Sequence, residues 1–282
     1  MTEKVFAAID ATWPAAHYSQ AGPWCIREGR GGGQRVSAAS TRARVTATDV
    51  AEAETAMQAL GQPPVFMIRG DQPRVDSVLD RLGYRMKEPV GVWSGPVKRV
   101  AEGYERSLAT IFAEYPMPIL AEIWAAGGIG PARLDIMRRT AGPKTCILGR
   151  CGDRPRGAAF VAMHQDVAMA HAVEVCADAR RQGVAERMMK AAAWWAGRTG
   201  AAELAVLTAA RNTGTQAMLG KLGMRPVTHY HYRVKRQGGT APGGGTSANG
   251  VSSGPGPLAC ARQSDINRME LPWSRTTPPR CT

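Results

Sequence analysis

The residues of this chain best suited to chemistry gather between positions 166 and 196. Glu174 sits near the end of DVAMAHAVEV, where Val167, Met169, His171, Val173 and Val175 alternate with Ala168, Ala170, Ala172 and Glu174. A period of two reads as a half-buried or buried strand. It places Glu174 on the face of the small alanines and His171 on the opposite face, packed in the core. Arg180-Arg181-Gln182-Gly183-Val184-Ala185 follows, and residues 184–196, rich in Ala, Met, Glu, Arg and Lys without Gly or Pro, read as a helix. With no side chain to cap it, the start of that helix presents unpaired amides and the positive end of a dipole, which suits an anion. Arg180 and Arg181 add charge, while Gly183 and the small Ala185 allow close approach. The same residues, taken alone, also describe a plain strand-to-helix turn with two solvated arginines.

The elements after this helix weigh toward the anion site. Residues 202–208, AELAVLT, read as a buried strand parallel to the first through a right-handed crossover. Then come Asn212, a short helix through Gln216-Ala217-Met218-Leu219, and Lys221-Leu222-Gly223-Met224. This ordered set resembles the GNAT superfamily of acyl-CoA N-acyltransferases. Arg180, Gly183 and Ala185 fill the family's Q/R-x-x-G-x-G/A pyrophosphate loop, and Val175 matches the valine closing the preceding strand. Asn212, Leu222, Gly223 and Met224 meet its N…LGF pattern, with Met in place of the aromatic. The similarity spans residues 144–234.

The resemblance implies acetyl-CoA as co-substrate, with no metal. Its contacts would be Val175, Cys176, Ala177, Arg180, Arg181, Gln182, Gly183, Val184 and Ala185, with Asn212 on the CoA arm. It further implies N-acetyl transfer to a primary amine, from a small molecule or a peptide, by direct attack on the thioester. A lysine-like amine is only about one part in a few thousand neutral at pH 7, so a base is needed; Glu174 is the candidate general base. The family commonly carries a Tyr seven residues after the Asn as general acid, and Leu219 stands there instead. Tyr230 and Tyr232 are the hydroxyls nearest in sequence, and a thiolate of pKa near 8.5 is already a fair leaving group. A second reading keeps the CoA site but makes the chain a weak or inactive acyl-CoA sensor or scaffold.

The elements that must position these residues make a mixed-sheet α/β (α+β) chain. A GNAT-like acyltransferase fold is expected for residues 98–236 and a degenerate GNAT-like half for residues 1–97, where Leu82-Gly83-Tyr84 echoes Leu222-Gly223-Met224. Residues 237–282, dominated at first by Gly, Pro, Ser, Thr and Ala, read as a disordered tail. Helices are expected over residues 2–11, 49–60, 74–82 and 132–139, and in two pieces over 98–125. Residues 23–27 and 34–38 are expected to pair as a hairpin across Gly31-Gly32-Gly33, and residues 145–150 with 157–164 as another. Residues 228–234 are expected to close the sheet. Tyr115, Trp124 and Arg133 are candidates for lining the acceptor site.

The net charge of +13 suits CoA phosphates, an acidic acceptor or nonspecific nucleic acid, yet no sequence-reading nucleic-acid motif occurs. No apolar run approaches a membrane span, and no signal-peptide layout precedes the first elements. The six cysteines lack zinc spacing, so reduced thiols in a cytoplasmic protein are expected.

Overall fold

The computed structural model describes residues 2–235; the expectation for residues 237–282 lies outside them. Eight strands form one sheet in the order β3-β10-β4-β9-β8-β7-β6-β5. They are β3 (Val65–Arg69), β4 (Tyr84–Pro96), β5 (Thr110–Ala113), β6 (Lys144–Cys151), β7 (Arg154–His164), β8 (Val167–Val175), β9 (Glu203–Ala209) and β10 (Arg225–Lys235). Only β8 and β9 run parallel, joined by the crossover helix α7 (Val184–Thr199). The two halves read from the sequence therefore share a sheet, and β4 of the first half lies between β9 and β10 of the second.

One face is covered by α7, by α8 (Thr213–Lys221) and by the single turn α4 (Val97–Val100). The stripe Val184, Met188, Ala191, Ala192 and Ala196 is buried there, with each large apolar side chain worth about 1.5–3 kcal/mol. Its first turn is seated by two glycines: a Cβ at Gly149 or Gly157 would come 2.8 Å from Met188 or Val184 atoms. The opposite face carries α1 (Thr2–Thr12), α5 (Pro118–Ala126) and α6 (Pro131–Arg139), packed around Trp13, Leu120, Trp124 and Phe160. Beyond the sheet, α2 (Ala47–Ala59) and α3 (Pro73–Arg81) bury Val50, Met57, Val75 and Leu79 against Trp24, Phe66 and Tyr84. A capping box starts α2, with Thr46 accepting from the Asp49 amide and Asp49 from the Thr46 amide.

Two expectations are corrected. Trp24–Glu28 (β2) pairs with His17–Ala21 (β1), not with residues 34–38; Gln34–Val36 is a single 3-10 turn. The glycine loop folds down onto α6 instead, so tightly that a Cβ at Gly32 would meet Ile136 at 2.6 Å, and Val36 is buried in the same cluster. The helix expected over the first part of 98–125 stops after Val100, and Thr110–Ala113 pairs with β6 as an edge strand. Gly103, at φ 70, provides the turn that an L-residue would resist. As expected, β10 is the last strand of the sheet in chain order, and β3 covers its outer edge from Val65↔Val234 to Arg69↔Tyr230.

Candidate functional site

The site is made by two strands that stop pairing. β8 and β9 are joined from Val167↔Glu203 to Ala170↔Val206 and no further. At that point β8 bulges: its ladder with β7 jumps from Phe160↔His171 to Ala158↔Glu174, so Ala172 and Val173 together oppose Ala159. Ala172 takes φ 50, a left-handed conformation that costs an Ala residue about 1–2 kcal/mol. Its carbonyl is held by the Trp124 indole, Nε1 to O 2.7 Å. Where the strands separate lies a cavity of ≈ 1410 Å³. It is lined from the α7 face by Ala170, Val206 and Val184, and from the α1 face by Trp13, His171, Tyr230 and Tyr232.

The bulge overturns one expectation. Alternation counted along the sequence places Glu174 with the alanines and opposite His171. The inserted residue exchanges the faces beyond Ala172: Val173 and Val175 pack on the α7 side, while Glu174 lies against α5 on the His171 side. A Cβ at Gly127 would stand 2.5 Å from Glu174 Cγ and Cδ, so glycine there leaves the room the carboxylate uses. Glu174 Oε1 receives Arg180 Nη2 at 3.3 Å, and Arg180 Nε also donates to the Val175 carbonyl at 3.2 Å.

At the other end of the gap is the mouth of α7. Gly183 occupies the cap position at φ 75, and no side chain caps the helix. The Cys176 amide is spent on Arg156 O of β7, 2.8 Å; antiparallel alternation therefore turns the backbone of Val175 toward the gap. Of the expected CoA contacts, Val175, Arg180, Arg181, Gly183, Val184, Ala185 and Asn212 line the cavity. Cys176, Ala177 and Gln182 do not. Gln182 donates to Asp178 O and accepts from Cys151 Sγ, which ties the turn to β6. Asn212 caps α8, accepting from the Thr215 amide at 3.1 Å. A diphosphate meets a helix start that no side chain caps and the cavity-lining Arg180 and Arg181 here, with the Arg187 guanidinium lying over Gly183, so the residues present fit one.

Leu219 is fully buried in the α7-side core. Tyr230 and Tyr232 are buried on the cavity wall, and burial first, then neighbouring Tyr230, holds the Tyr232 hydroxyl well above its ordinary pKa. Among the acceptor candidates, Arg133 lines the cavity, Trp124 is buried behind it as the clamp on Ala172, and Tyr115 is exposed away from it.

His171 is buried beneath the cavity floor. Thr12 Oγ1 donates to Ala8 O at 2.6 Å, so its 2.8 Å contact with His171 Nε2 must be donated by the ring. Nδ1 is then the lone-pair atom, and it accepts from Arg35 Nη1 at 3.3 Å. Burial, with Arg35 second, drives the His171 pKa well below its ordinary value, so the ring is neutral. Sequence reasoning missed Thr12, Arg35 and Gly127. Nothing local marks them, since each acts on a residue far away in the chain.

Residues 108–224 match the acetyltransferase (GNAT) family, and the chain carries a GNAT acetyltransferase domain there. It is 23% identical over 242 residues to the uncharacterized N-acetyltransferase YobR of Bacillus subtilis (strain 168), covering 83% of this chain and 98% of that protein. The fold is similar to a GCN5-related N-acetyltransferase from Kribbella flavida, with TM-score 0.61, 15% identity, and 86% and 95% of the two chains covered. It is also similar to a tandem GNAT protein from the clavulanic acid biosynthesis pathway, with TM-score 0.52, 12% identity, and 70% and 74% covered. Among the described residues no helix is long and apolar enough to cross a membrane.

Proposed function

We propose that the protein is a cytoplasmic N-acetyltransferase that moves an acetyl group from acetyl-CoA to a primary amine by direct attack. The observation that carries this is the continuity of one cavity from the uncapped start of α7, through the parted strands, to Glu174. The amides of Gly183, Val184 and Ala185, with Arg180 and Arg181, would hold the pyrophosphate, and the backbone of Val175 would pair with the pantetheine arm. Acetyl-CoA supplies an activated acyl group. Glu174 would take a proton from the incoming ammonium, directly or through water, as nitrogen bonds to the carbonyl carbon and the carbon–sulfur bond breaks. A backbone N–H near Val175 would polarise that carbonyl, and a Tyr230 or Tyr232 hydroxyl would return a proton to the thiolate. Residues 1–97 would act as a degenerate GNAT-like half that shapes the acceptor end, because Arg35 and Glu88 of that half line the cavity.

The fully buried Leu219 leaves the usual phenol position empty of acid and favours one other reading, an acyl-CoA sensor without turnover. Thiol release from acetyl-CoA across a panel of amines separates the two. Turnover that falls about 10²–10⁴-fold in Glu174→Gln, with acetyl-CoA binding intact, is the expected result. CoA binding with no thiol release for any amine would leave the sensor; unchanged turnover in Glu174→Gln would remove this residue from the chemistry.

A further inference from the structure

Arg35 enters the cavity from the 3-10 turn after the glycine loop. Its guanidinium lies 5.8 Å from the centre of the Trp13 ring and is held from behind by His171 Nδ1. The chain behind it, Ala8 carbonyl to Thr12 hydroxyl to His171, is a relay of neutral groups whose donors are all committed. It positions the guanidinium without balancing its charge. Arg35 Nε is buried and has no hydrogen-bond partner. No carboxylate among the described residues forms an ion pair with Arg35: Glu174, on the same cavity, is paired with Arg180, and Glu88 pairs with neither. Arg133 lines the same wall over Gly33, where an added Cβ would stand 3.4 Å from its Nη2, and it too has no acidic partner among the described residues.

A half-buried guanidinium with an unsatisfied donor costs free energy unless an anion answers it. A neutral histidine acceptor holds Nη1 without neutralising the guanidinium, which leaves a cavity-lining cation that a carboxylate suits. We infer that the acceptor bound in this cavity is an amine that also carries a carboxylate, an amino acid or similarly short amino-carboxylate, with the carboxylate on Arg35 and Arg133 and the amine toward Glu174. The length follows from the strand: His171 and Glu174 are three residues apart, about 10 Å at full strand rise and less across the bulge. The assignment of the amine end rests on the acyl-transfer reading; the carboxylate end rests on Arg35 and Arg133.

Two readouts keep these apart. Binding of glycine and of β-alanine to the full-length protein is measured calorimetrically against glycinamide, propylamine and O-phosphoethanolamine, with and without CoA. Thiol release from acetyl-CoA is then followed with the same five amines. The expected result is that the two carboxylates bind and react best, and that Arg35→Gln weakens them about ten- to a hundredfold, mostly in KM, while propylamine is little changed. Arg133→Gln gives a smaller loss of the same sign and serves as the second variant should Arg35→Gln fold poorly. Carboxylates that bind through Arg35 without thiol release would uphold this inference and refute acyl transfer. Thiol release with no preference for carboxylates over glycinamide and propylamine would overturn the inference and leave acyl transfer standing. Preference for O-phosphoethanolamine over both carboxylates would overturn it as well.

Discussion

Acidification should destabilise this protein through His171 in addition to its paired carboxylates. His171 is buried and neutral, with a folded pKa driven well below the ordinary 6.5 chiefly by burial. The unfolded chain titrates normally, so below 6.5 it binds a proton that the folded protein refuses. Stability therefore rises with pH up to about 6.5 and falls as pH drops below it, at about 1.4 kcal/mol per unit. Between neutrality and about pH 5, His171 alone should remove about 2 kcal/mol. Protonation also turns Nδ1 from acceptor to donor and sets it against the Arg35 guanidinium, which adds to the cost. Urea unfolding of the wild type and of His171→Gln across this range is the assay. Carboxylates elsewhere titrate equally in both proteins and cancel in the difference. The wild type should lose its advantage, or fall further behind, by about 2 kcal/mol from about pH 7.5 to about pH 5. A difference that stays flat over that window would show that the folded ring titrates as the unfolded one does, as an exposed His171 would, and a difference of the opposite sign would show it protonated in the fold. The tautomer assignment, and the positioning of Arg35 built on it, would then fail.

Two further substitutions examine how Glu174 is aimed. Trp124→Phe deletes the donor that holds the left-handed Ala172, leaving a buried carbonyl unpaired at about 1–3 kcal/mol; kcat should fall with little change in KM for acetyl-CoA, and an unaltered kcat would show that the bulge holds itself. Gly127→Ala puts a Cβ into the Glu174 side chain from a backbone at φ −86, which any residue adopts. Thermal stability should therefore move by no more than about 1 kcal/mol while turnover drops about tenfold or more, and full activity would mean that Glu174 does not work from this position.

The uncapped helix start at the end of the cavity was legible because it is local. Gly183 at the head of a helix without a capping side chain, two arginines before it and an alternating strand ahead of them are contiguous residues. Their conformations follow from turn and cap preferences that need no distant partner. The parallel crossover came out for the same reason. Residues 34–38 and the first part of 98–125 were misread because their local pattern was overruled, while the second part is the expected helix α5. Gly32 and Val36 are held by their packing on α6, and the short apolar run Ile111-Phe112-Ala113 answers an open strand edge on β6.

The amino-acid order alone thus determined that β8, the turn and α7 make a cavity mouth at a helix start that no side chain caps, since the backbone amides there are exposed by covalent sequence and helix geometry. Only the tertiary structure decided what that mouth opens onto. One inserted residue at Ala172, held by an indole 48 positions away in the chain, carries Glu174 to the face of His171 and Gly127. Arg35 is likewise given its direction by Thr12 and His171, and β4 reaches the middle of the sheet only when both halves fold together. Strand periodicity says that successive side chains alternate; where the count slips is set by packing across the sheet, and a linear reading cannot supply it.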